Sequence, residues 1–323
     1  MTYSIAIRTL GTTGDVFKRE LCSIAAQTLI PEKVIVYIAE GYDRPDFVVG
    51  KEEYVWTHKG MMAQRVLPYD EITSDCILML DDDVCLSPDS AERMLKAMEE
   101  NAADCVGADV FKNQEMPLSR KALAAISNMV FPHWGAKWAF KMHRNGSFSY
   151  NNRPSRSFYW SQTCSGPAMM WKKEAFVRQH FQDELWLERL GFPYGEDALM
   201  TYRLYSNGGR LGILYDSGIE NLDAQAASAA FRKSPEWMYK RTKASFMVWW
   251  RACYRNGRDS YFSRFLAVSA YGIKCIWLMP SVCFSALICR KRRWLPDYFK
   301  GIVDGYSVCR NETFKLLPPF VFQ

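Results

Sequence analysis

The sequence predicts an α/β protein with a mostly parallel central sheet flanked by helices. Three observations lead to this prediction. A strand, a helix and a second strand follow one another within residues 4–38, the second strand is a nearly continuous β-branched run, and a later apolar run ends on three carboxylates. Continuous apolar strands are typical of parallel sheets covered on both faces, and a strand–helix–strand unit joins parallel neighbours.

The elements before residue 101 alternate between strands and helices. In the predicted helices the apolar residues recur at helical spacing, and in the predicted strands they form short buried runs. Ser87 or Asp89 is the predicted N-cap of the last helix. The predicted strands are residues 4–10, 34–38, 53–57 and 76–80, and the predicted helices are residues 16–27 and 90–100.

The next elements are predicted from similar signals. Pro167 ends a turn that enters a buried strand, and a Gly-rich stop after residue 206 ends a helix. The predicted elements are a strand at residues 168–171, a short helix at 173–181, a helix that begins with Glu196 and Asp197, and a strand at 211–215.

Composition and charge narrow the class of protein. Hydrophobic residues are 49% and charged residues 24% of 323, which is ample for a core. The net charge of +6 mildly favours acidic partners and does not indicate nucleic acid. The ten cysteines form no Cys-x-x-Cys pair, so we interpret them as buried hydrophobic residues in a reducing compartment. Because no hydrophobic signal core begins the sequence, we expect the N-terminal part to stay in the cytoplasm.

Three consecutive carboxylates, Asp81, Asp82 and Asp83, directly follow the fourth strand. Ligands of open α/β sheets bind in the crevice beyond the carboxyl ends of the strands. Three carboxylates there repel one another, so we expect a cation to compensate their charge. Hard oxygen ligands suit Mg²⁺ or Mn²⁺. The alternative is a solvated turn, because acidic residues favour helix starts and Ser87-Pro88-Asp89 follows.

A second acidic pair, Glu196-Asp197, opens a predicted helix. The helix dipole favours carboxylates in the first turn. An ordinary charged first turn therefore explains this pair as well as a functional site does.

Four segments keep a characteristic order and spacing. They are the strand that ends near Thr9, the succession from Ser23 to Val36, the run Leu80-Asp81-Asp82-Asp83, and the stretch from Gly195 through Arg203 to Gly208. Together, over residues 4–223, they resemble a family 2 glycosyltransferase of the bacterial surface-polysaccharide type. The resemblance implies a GT-A fold, in which a nucleotide-sugar donor lies across the carboxyl edge of the sheet and Mg²⁺ or Mn²⁺ holds its diphosphate. The implied reaction is an inverting single displacement onto a lipid-linked or glycan acceptor.

The resemblance also implies roles for residues on the donor side. Asp81 and Asp83 match the Asp-x-Asp motif, one reaching the ribose and metal-bound water and the other the metal, with Asp82 as an alternative. Thr9 and Glu40, where the first two strands end, fall where relatives hold the nucleoside.

The remaining implied roles concern the diphosphate and the base. Arg65 or Lys59 neutralises diphosphate charge on this resemblance, and surface solvation explains Lys59 equally well. Asp197 matches the general base, which takes the acceptor proton as the oxygen attacks the anomeric carbon, and Glu196 is the alternative. Where relatives carry a His near the metal, this chain has Asn221, with Asp223 as a possible substitute.

The C-terminal third differs in character from the rest of the chain. A long hydrophobic run at residues 265–289 is interrupted by Lys274 and Pro280 and followed by the basic cluster at 290–293. Since both flanks are basic, an interfacial or re-entrant helical hairpin satisfies the positive-inside rule better than a single crossing. Four tryptophans suit the headgroup level of a membrane: Trp249, Trp250, Trp277 and Trp294.

We therefore expect residues 1–235 to form a catalytic domain and residues 236–323 a helical, amphipathic membrane-associating region. The protein would be peripheral or monotopic at the cytoplasmic face of the inner membrane. A helix pair packed on the catalytic domain is the alternative for a soluble protein.

Two other functions are compatible with such a core. A sugar nucleotidyltransferase normally has a Gly-rich loop with a basic end after the first strand, whereas the stretch 11–15 here ends in Asp15. A non-catalytic glycan-binding protein would not need Asp81, Asp83 and Asp197. Both are weaker interpretations than a metal-dependent glycosyltransferase.

Overall fold

The fold is built on an eight-stranded mixed sheet with helices on both faces. It is seen in a computed structural model that describes residues 1–110, 138–151, 154–190, 194–222, 234–256, 260–287 and 292–322. Within these ranges, two further pairs of short strands lie outside the main sheet.

The strands are β1 Tyr3–Thr9, β2 Val34–Ala39, β3 Glu52–Thr57, β4 Cys76–Asp81, β5 Val84–Leu86, β6 Cys105–Ala108, β7 Phe140–Met142, β8 Phe148–Tyr150, β9 Phe158–Ser161, β10 Ala168–Lys172, β11 Leu211–Leu214 and β12 Ile219–Asn221. The α-helices are α1 Asp15–Ala25, α2 Ser90–Glu100, α3 Lys173–Val177, α4 Glu196–Ser206, α5 Trp237–Trp249, α6 Tyr261–Leu287, α7 Trp294–Arg310 and α8 Glu312–Lys315. A 3₁₀ helix at Phe181–Leu190 and a π-helical turn at Trp250–Tyr254 complete the described elements.

The strand order is β3-β2-β1-β4-β10-β6-β11-β9. The first four strands are parallel, as the sequence predicts, so β1 and β4 end at the same edge. β10 is antiparallel to both of its neighbours and separates β4 from β6. The parallel pairing of β1 with β4 places Arg8 opposite Asp81.

Two hydrophobic cores lie on the two faces of the sheet. Alternate residues of one strand enter different cores because successive side chains point to opposite faces. In β2, Val36 packs under α1 and α2, whereas Ile35 and Tyr37 enter the core that contains the C-terminal aromatic residues. This double burial explains the continuous apolar runs from which the parallel sheet was predicted.

Helix boundaries largely agree with the predicted ones. α2 has the predicted bounds, and Asp89 precedes it without a side-chain capping bond. The predicted helix at 173–181 ends earlier, at Val177, and a 3₁₀ helix begins at Phe181. His180, between them, has a positive φ of 49°, which an α-helix does not accommodate.

The C-terminal helices correct two predictions. Residues 261–287 form one continuous helix rather than a re-entrant hairpin. Pro280 has no N–H group to donate to the carbonyl of Ile276, one turn earlier. Both residues lie on the exposed side of α6. Because water can reach this carbonyl, the helix continues past the proline. Trp249 and Trp250 do not lie at a surface, because they pack in the core below the sheet.

A buried ion cluster joins the C-terminal region to the sheet domain. Glu184 accepts hydrogen bonds from Arg203 (2.9 Å) and Arg251 (2.7 Å), and Arg203 also binds Asp183 at 2.7 Å. The Arg251 guanidinium lies 5.6 Å from the Phe320 ring centroid. The predicted boundary between two domains at residue 235 stays a prediction. One hydrophobic core contains residues from both sides of this boundary.

Candidate active site

The carboxyl ends of β1 and β4 form one wall of the site. Arg8 Nη2 donates to Asp81 Oδ1 at 2.6 Å and to the Gly166 carbonyl at 3.2 Å. Arg8 is buried, so its charge requires a partner, and the parallel register supplies Asp81.

Arg65 connects the acidic stretch to the predicted base. Its Nη2 lies 3.3 and 3.4 Å from the two carboxylate oxygens of Asp81. Its Nη1 lies 2.8 Å from Asp197 Oδ1, as an ion pair without the alignment of a hydrogen bond. The structure therefore brings three of the predicted site residues into one cluster.

The backbone turn that carries Arg65 is held by hydrogen bonds of two side chains, the partly buried Glu188 and the buried Gln64. Glu188, from the 3₁₀ helix, accepts hydrogen bonds from the backbone N–H groups of Met62 and, at 2.8 Å, Ala63. Gln64 Nε2 donates to the carbonyls of Thr9 (3.2 Å) and Tyr37 (3.1 Å). These bonds tie the turn to the ends of β1 and β2.

Asp82 faces the loop after β1. It accepts hydrogen bonds from Thr9 Oγ1 and, at 3.1 Å, Thr13 Oγ1. Thr9 Oγ1 in turn accepts from the Gly11 N–H at 2.7 Å. Burial raises the pKa of Asp82 despite these two donors.

Asp83 points to a different neighbour. Its Oδ1 accepts a hydrogen bond from Asn221 Nδ2 at 3.3 Å, and its carbonyl accepts from the Leu222 N–H at 2.7 Å. The pairing of β12 with β5 places Asn221 opposite Val84 and so beside the acidic stretch. Asn221 thus lies where the resemblance expects a His, and Asp223 is outside the described residues.

A cleft of about 240 Å³ lies beside these groups. It is bordered by the loop after β1, the Arg65 turn and the end of β4. Its lining residues are Arg8, Thr9, Leu10, Thr12, Thr13, Met61, Gln64, Arg65, Asp81 and Asp82. Its position beyond the carboxyl ends of parallel strands is where ligands of open α/β sheets bind.

The acidic pair lies in the first turn of α4. Gly195 precedes the helix with a φ of 70°, a left-handed conformation that favours glycine. Burial raises the pKa of Asp197 although Arg65 opposes the shift. Burial and the neighbouring charge of Asp197 raise the pKa of Glu196 to about 7. Burial thus makes both carboxyl groups more basic than an exposed carboxyl group, which favours proton uptake by a general base.

Asp81 is tuned in the other direction. Burial opposes its ionisation, but the guanidinium groups of Arg65 and Arg8 hold the pKa of Asp81 below its ordinary value. Asp81 is therefore a fixed negative charge, whereas Asp197 more readily takes up a proton.

Gly166 makes room for the Asp197 carboxyl group. A Cβ atom at this position would overlap Asp197 Cγ and both carboxylate oxygens. A side chain at this position of the loop before β10 would therefore displace the Asp197 carboxyl group. Sequence reasoning missed this role, although the Gly-Pro pair signals a special turn.

Two predicted residues lie apart from the cleft. Glu40 follows β2, is exposed, and has His58 Nδ1 at 3.7 Å from its carboxylate. Lys59 is exposed and donates to the Tyr42 hydroxyl at 2.7 Å. Of the two cations proposed for the diphosphate, only Arg65 lines the cleft.

Arg8 and Glu188 are site residues that the sequence analysis did not identify. A charged side chain within a run as apolar as Ile5-Ala6-Ile7 was a signal, because a buried arginine requires a carboxylate partner. Glu188 gave no comparable signal, since it lies in a stretch of mixed charged and apolar residues.

The donor set and the charge balance fit a divalent ion. The acidic stretch and Asp197 supply four carboxyl groups, whereas two guanidinium groups, those of Arg8 and Arg65, pair with Asp81 and Asp197, so carboxyl groups outnumber guanidinium groups at the site. Among the described residues no three His, Cys, Asp or Glu side chains are grouped as metal ligands. Mg²⁺ and similar ions, however, are usually held by one or two carboxylates together with substrate phosphates.

Fold and site together define a GT-A nucleotide-diphospho-sugar transferase fold. Residues 54–177 match the family model described as "Glycosyl transferase family 2". This match includes Arg65 and the acidic stretch and ends before Glu196 and Asp197. The resemblance to family 2 glycosyltransferases, indicated by the sequence, is thereby confirmed.

Solved structures agree with this fold. A crystal structure of S. aureus TarS has a TM-score of 0.52 at 12% identity, covering 98% of this chain and 50% of that chain. TarS 1-349 in complex with UDP-GlcNAc also has a TM-score of 0.52 at 12% identity, covering 95% and 81%. The chain thus spans half the length of the first TarS structure, and the likeness is one of fold. No curated protein sequence matches the chain.

Proposed function

We propose that the protein is an inverting glycosyltransferase of the surface-polysaccharide type. It moves a sugar from a nucleotide-diphosphate donor to a lipid-linked or glycan acceptor. The observation that supports this most strongly is Arg65, which joins the acidic stretch to Asp197 beside a cleft at the carboxyl edge of the sheet. The UDP-GlcNAc complex of TarS makes UDP sugars the first donors to test.

Asp197 acts as the general base. It takes the proton of the acceptor hydroxyl while that oxygen attacks the anomeric carbon, and the bond from this carbon to the diphosphate breaks with its electron pair. Gly166 leaves the space that the carboxylate occupies, and Arg65 fixes its orientation. Glu196 is the second candidate because its pKa is raised to about 7.

The residues on the donor side hold a negatively charged substrate. Arg8 and Arg65 present guanidinium groups, which suit phosphate, but both already contact Asp81. A diphosphate beside this excess of carboxylates would be repelled without a further cation. Asp83 and Asp81 would hold Mg²⁺ or Mn²⁺, which when bound would neutralise the diphosphate as it leaves.

The C-terminal region holds the protein on the cytoplasmic membrane face. By length and composition, Tyr261–Phe284 is apolar enough to cross a membrane. One side of this helix, however, packs on the protein, and Lys274 lies there beneath the surface. The other side exposes Phe262, Phe265 and Ile276. A helix in the plane of the interface buries this apolar side in lipid and keeps its packed side on the protein.

A donor screen tests the proposed activity. Nucleotide sugars are added with Mn²⁺ or with chelator, and thermal unfolding is recorded. A donor at a hundred times its dissociation constant should stabilise the fold by about 2.7 kcal/mol, and only with the metal. The absence of any stabilising donor and of donor hydrolysis would contradict the proposal.

A reporter fused after residue 323 tests the membrane arrangement. We expect a cytoplasmic signal and partial release of the protein by high salt, because salt screens the attraction to anionic lipids. A reporter signal outside the cytoplasm would show that α6 crosses the bilayer.

A further inference from the structure

A second cavity lies in the C-terminal region, away from the donor cleft. Its volume is about 450 Å³, within the range of sites that hold small organic ligands. It lies between α5, α6, α7 and the turn that joins β7 to β8. We call it the helical cavity.

Two cations line the helical cavity, and both have only neutral partners within the described residues. Lys274 is 8% exposed, and its Nζ donates to the Asn145 carbonyl at 3.2 Å. The Arg241 guanidinium lies 4.8 Å from the Trp237 ring centroid. Burying an ammonium group without a counter-charge is costly. These two side chains therefore provide an electrostatic site for an anion.

The helical cavity adjoins the catalytic turn. Tyr194 lines it, and Glu196 and Asp197 follow after a single glycine, Gly195. Burial by itself would raise the pKa of Tyr194, but the positive charges of Arg241 and Lys274 outweigh burial and lower this pKa. The positive field thus reaches the residue that leads directly into α4.

The apolar surroundings indicate what else the ligand carries. One side of α6 lines the cavity with Leu278 and Val282. The opposite side of the same helix exposes Ile276 and Phe284. A ligand with a charged head in the cavity would therefore have apolar surface, and the proposed membrane interface, within reach of its tail. A small free anion would leave this apolar lining unused.

We propose that the helical cavity binds the phosphate or diphosphate head group of a lipid-linked acceptor. Arg241 and Lys274 contact the head group, and the lipid follows α6 into the membrane. The sugar of the acceptor then extends past Tyr194 toward Asp197. This inference rests on the proposed glycosyltransferase activity and chooses the lipid-linked acceptor over a free glycan.

Binding of farnesyl diphosphate to the full chain in neutral-lipid nanodiscs tests the proposal. Farnesol lacks the charge, and inorganic pyrophosphate lacks the tail. We expect farnesyl diphosphate to bind at least about tenfold more tightly than either, since charge-assisted hydrogen bonds and apolar burial both contribute. Equal binding of pyrophosphate and farnesyl diphosphate would overturn the lipid assignment. Equally strong competition by phosphatidylglycerol vesicles would show a general anionic-lipid site and also overturn it.

Variants locate the site. Lys274→Met and Arg241→Met keep an unbranched stem and remove the charge, and each should weaken farnesyl diphosphate binding about tenfold or more. Lys300→Ala removes an exposed charge from α7 and should leave binding unchanged. Unaltered binding in both Met variants would refute the proposal.

Donor binding separates this proposal from the proposed activity. UDP binding with Mn²⁺ should be the same in wild type and in both Met variants, which also shows that they fold. If wild type binds UDP but not farnesyl diphosphate, the head-group site is wrong and the activity stands. If it binds farnesyl diphosphate and uses no donor, the activity is wrong and the head-group site stands.

Discussion

Two clusters of arginines and carboxylates lie in this molecule, and they differ in charge balance. At Glu184, two arginines face two carboxylates, and each oxygen of Glu184 has a donor. At the cleft, two arginines pair with Asp81 and Asp197, while Asp82 accepts a hydrogen bond from the Thr9 hydroxyl and Asp83 one from the Asn221 amide. One cluster is balanced and closed, whereas the other retains excess negative charge beside open space.

The difference separates a structural role from a functional one. Arg203 and Glu184 are completely buried, and Phe320 and Phe322 cover the Arg203 guanidinium. The cleft cluster instead borders an open cleft of about 240 Å³, which Arg8, Arg65, Asp81 and Asp82 help to line. We therefore expect the cleft cluster, unlike the closed one, to receive a cation and a proton.

The largest expected effect comes from the base. Asp197→Asn keeps the shape and removes the proton-accepting charge, so kcat should fall by about 10² to 10⁴, or roughly 3 to 5 kcal/mol of barrier. Donor affinity should stay within a few-fold, because the base acts only while the acceptor attacks. Steady-state kinetics and donor titration measure both quantities, with Asp75→Asn at the opposite edge of the sheet as control. Lost donor binding with unchanged kcat would make Asp197 a binding residue and leave Glu196 as the base.

A substitution in the balanced cluster at Glu184 should lower the free energy of unfolding. Glu184→Leu leaves Arg203 and Arg251 without their shared partner, and removing one member of a buried ion pair typically costs about 3 to 5 kcal/mol. Denaturant unfolding measures the loss. Glu174→Leu, which removes an exposed pair with Arg178, should change stability by less than about 1 kcal/mol. Equal effects of the two substitutions would show that the Glu184 cluster stabilises the fold no more than an exposed ion pair does.

Gly166→Ala tests how the base is positioned. The new Cβ would displace the Asp197 carboxyl group, and a displacement of this kind costs on the order of 10² in rate. Gly272→Ala has open space around its Cβ and should leave kcat unchanged. A fully active Gly166→Ala enzyme would show that Asp197 need not hold this position.

The smallest effect concerns pH. The pKa of Glu196 is raised to about 7 in the folded protein. The protonated carboxyl group therefore stabilises the folded state, and this stabilisation is fully present at a pH below the ordinary pKa of a carboxyl group. This contribution is lost as pH rises through about 7, since the folded state then gives up a proton that the unfolded state has already lost. Glu196→Gln should therefore flatten the decrease of the melting temperature between about pH 5 and pH 8. An identical slope in wild type and variant would contradict the shifted pKa.

The sequence predicted the parts of the fold that local pattern determines. β2 and β4 are nearly continuous apolar runs, β1 has an apolar centre, and α1 and α2 are periodic. The insertion of β10 between β4 and β6 was not predicted, because strand pairing across the sheet is non-local. The continuity of α6 was also missed, since Pro280 is a local helix-breaking signal and the effect of its exposed position is not visible in the sequence.

The candidate site shows the same division. The acidic stretch and the acidic pair were identified as motifs, and the structure brings Asp81, Asp197 and Arg65 together. Arg8 could not be paired with Asp81 by motif, because their contact depends on the register of β1 with β4. The sequence predicted that a cation compensates the acidic stretch. Two arginines of the protein itself, Arg8 and Arg65, supply part of this positive charge.

The most direct test of the cleft as a metal-dependent donor site is calorimetric titration of UDP or GDP into wild type and Asp83→Ala, each with Mn²⁺ and with chelator. Asp83 accepts a hydrogen bond from the Asn221 side-chain amide at 3.3 Å, and Asp83→Ala removes one carboxylate from the acidic stretch while the pairs of Asp81 with Arg8 and Arg65 stay in place. We expect wild type to bind the nucleotide only with Mn²⁺ and the variant not to bind it, at unchanged thermal stability. Metal-dependent binding of equal strength in Asp83→Ala would contradict it.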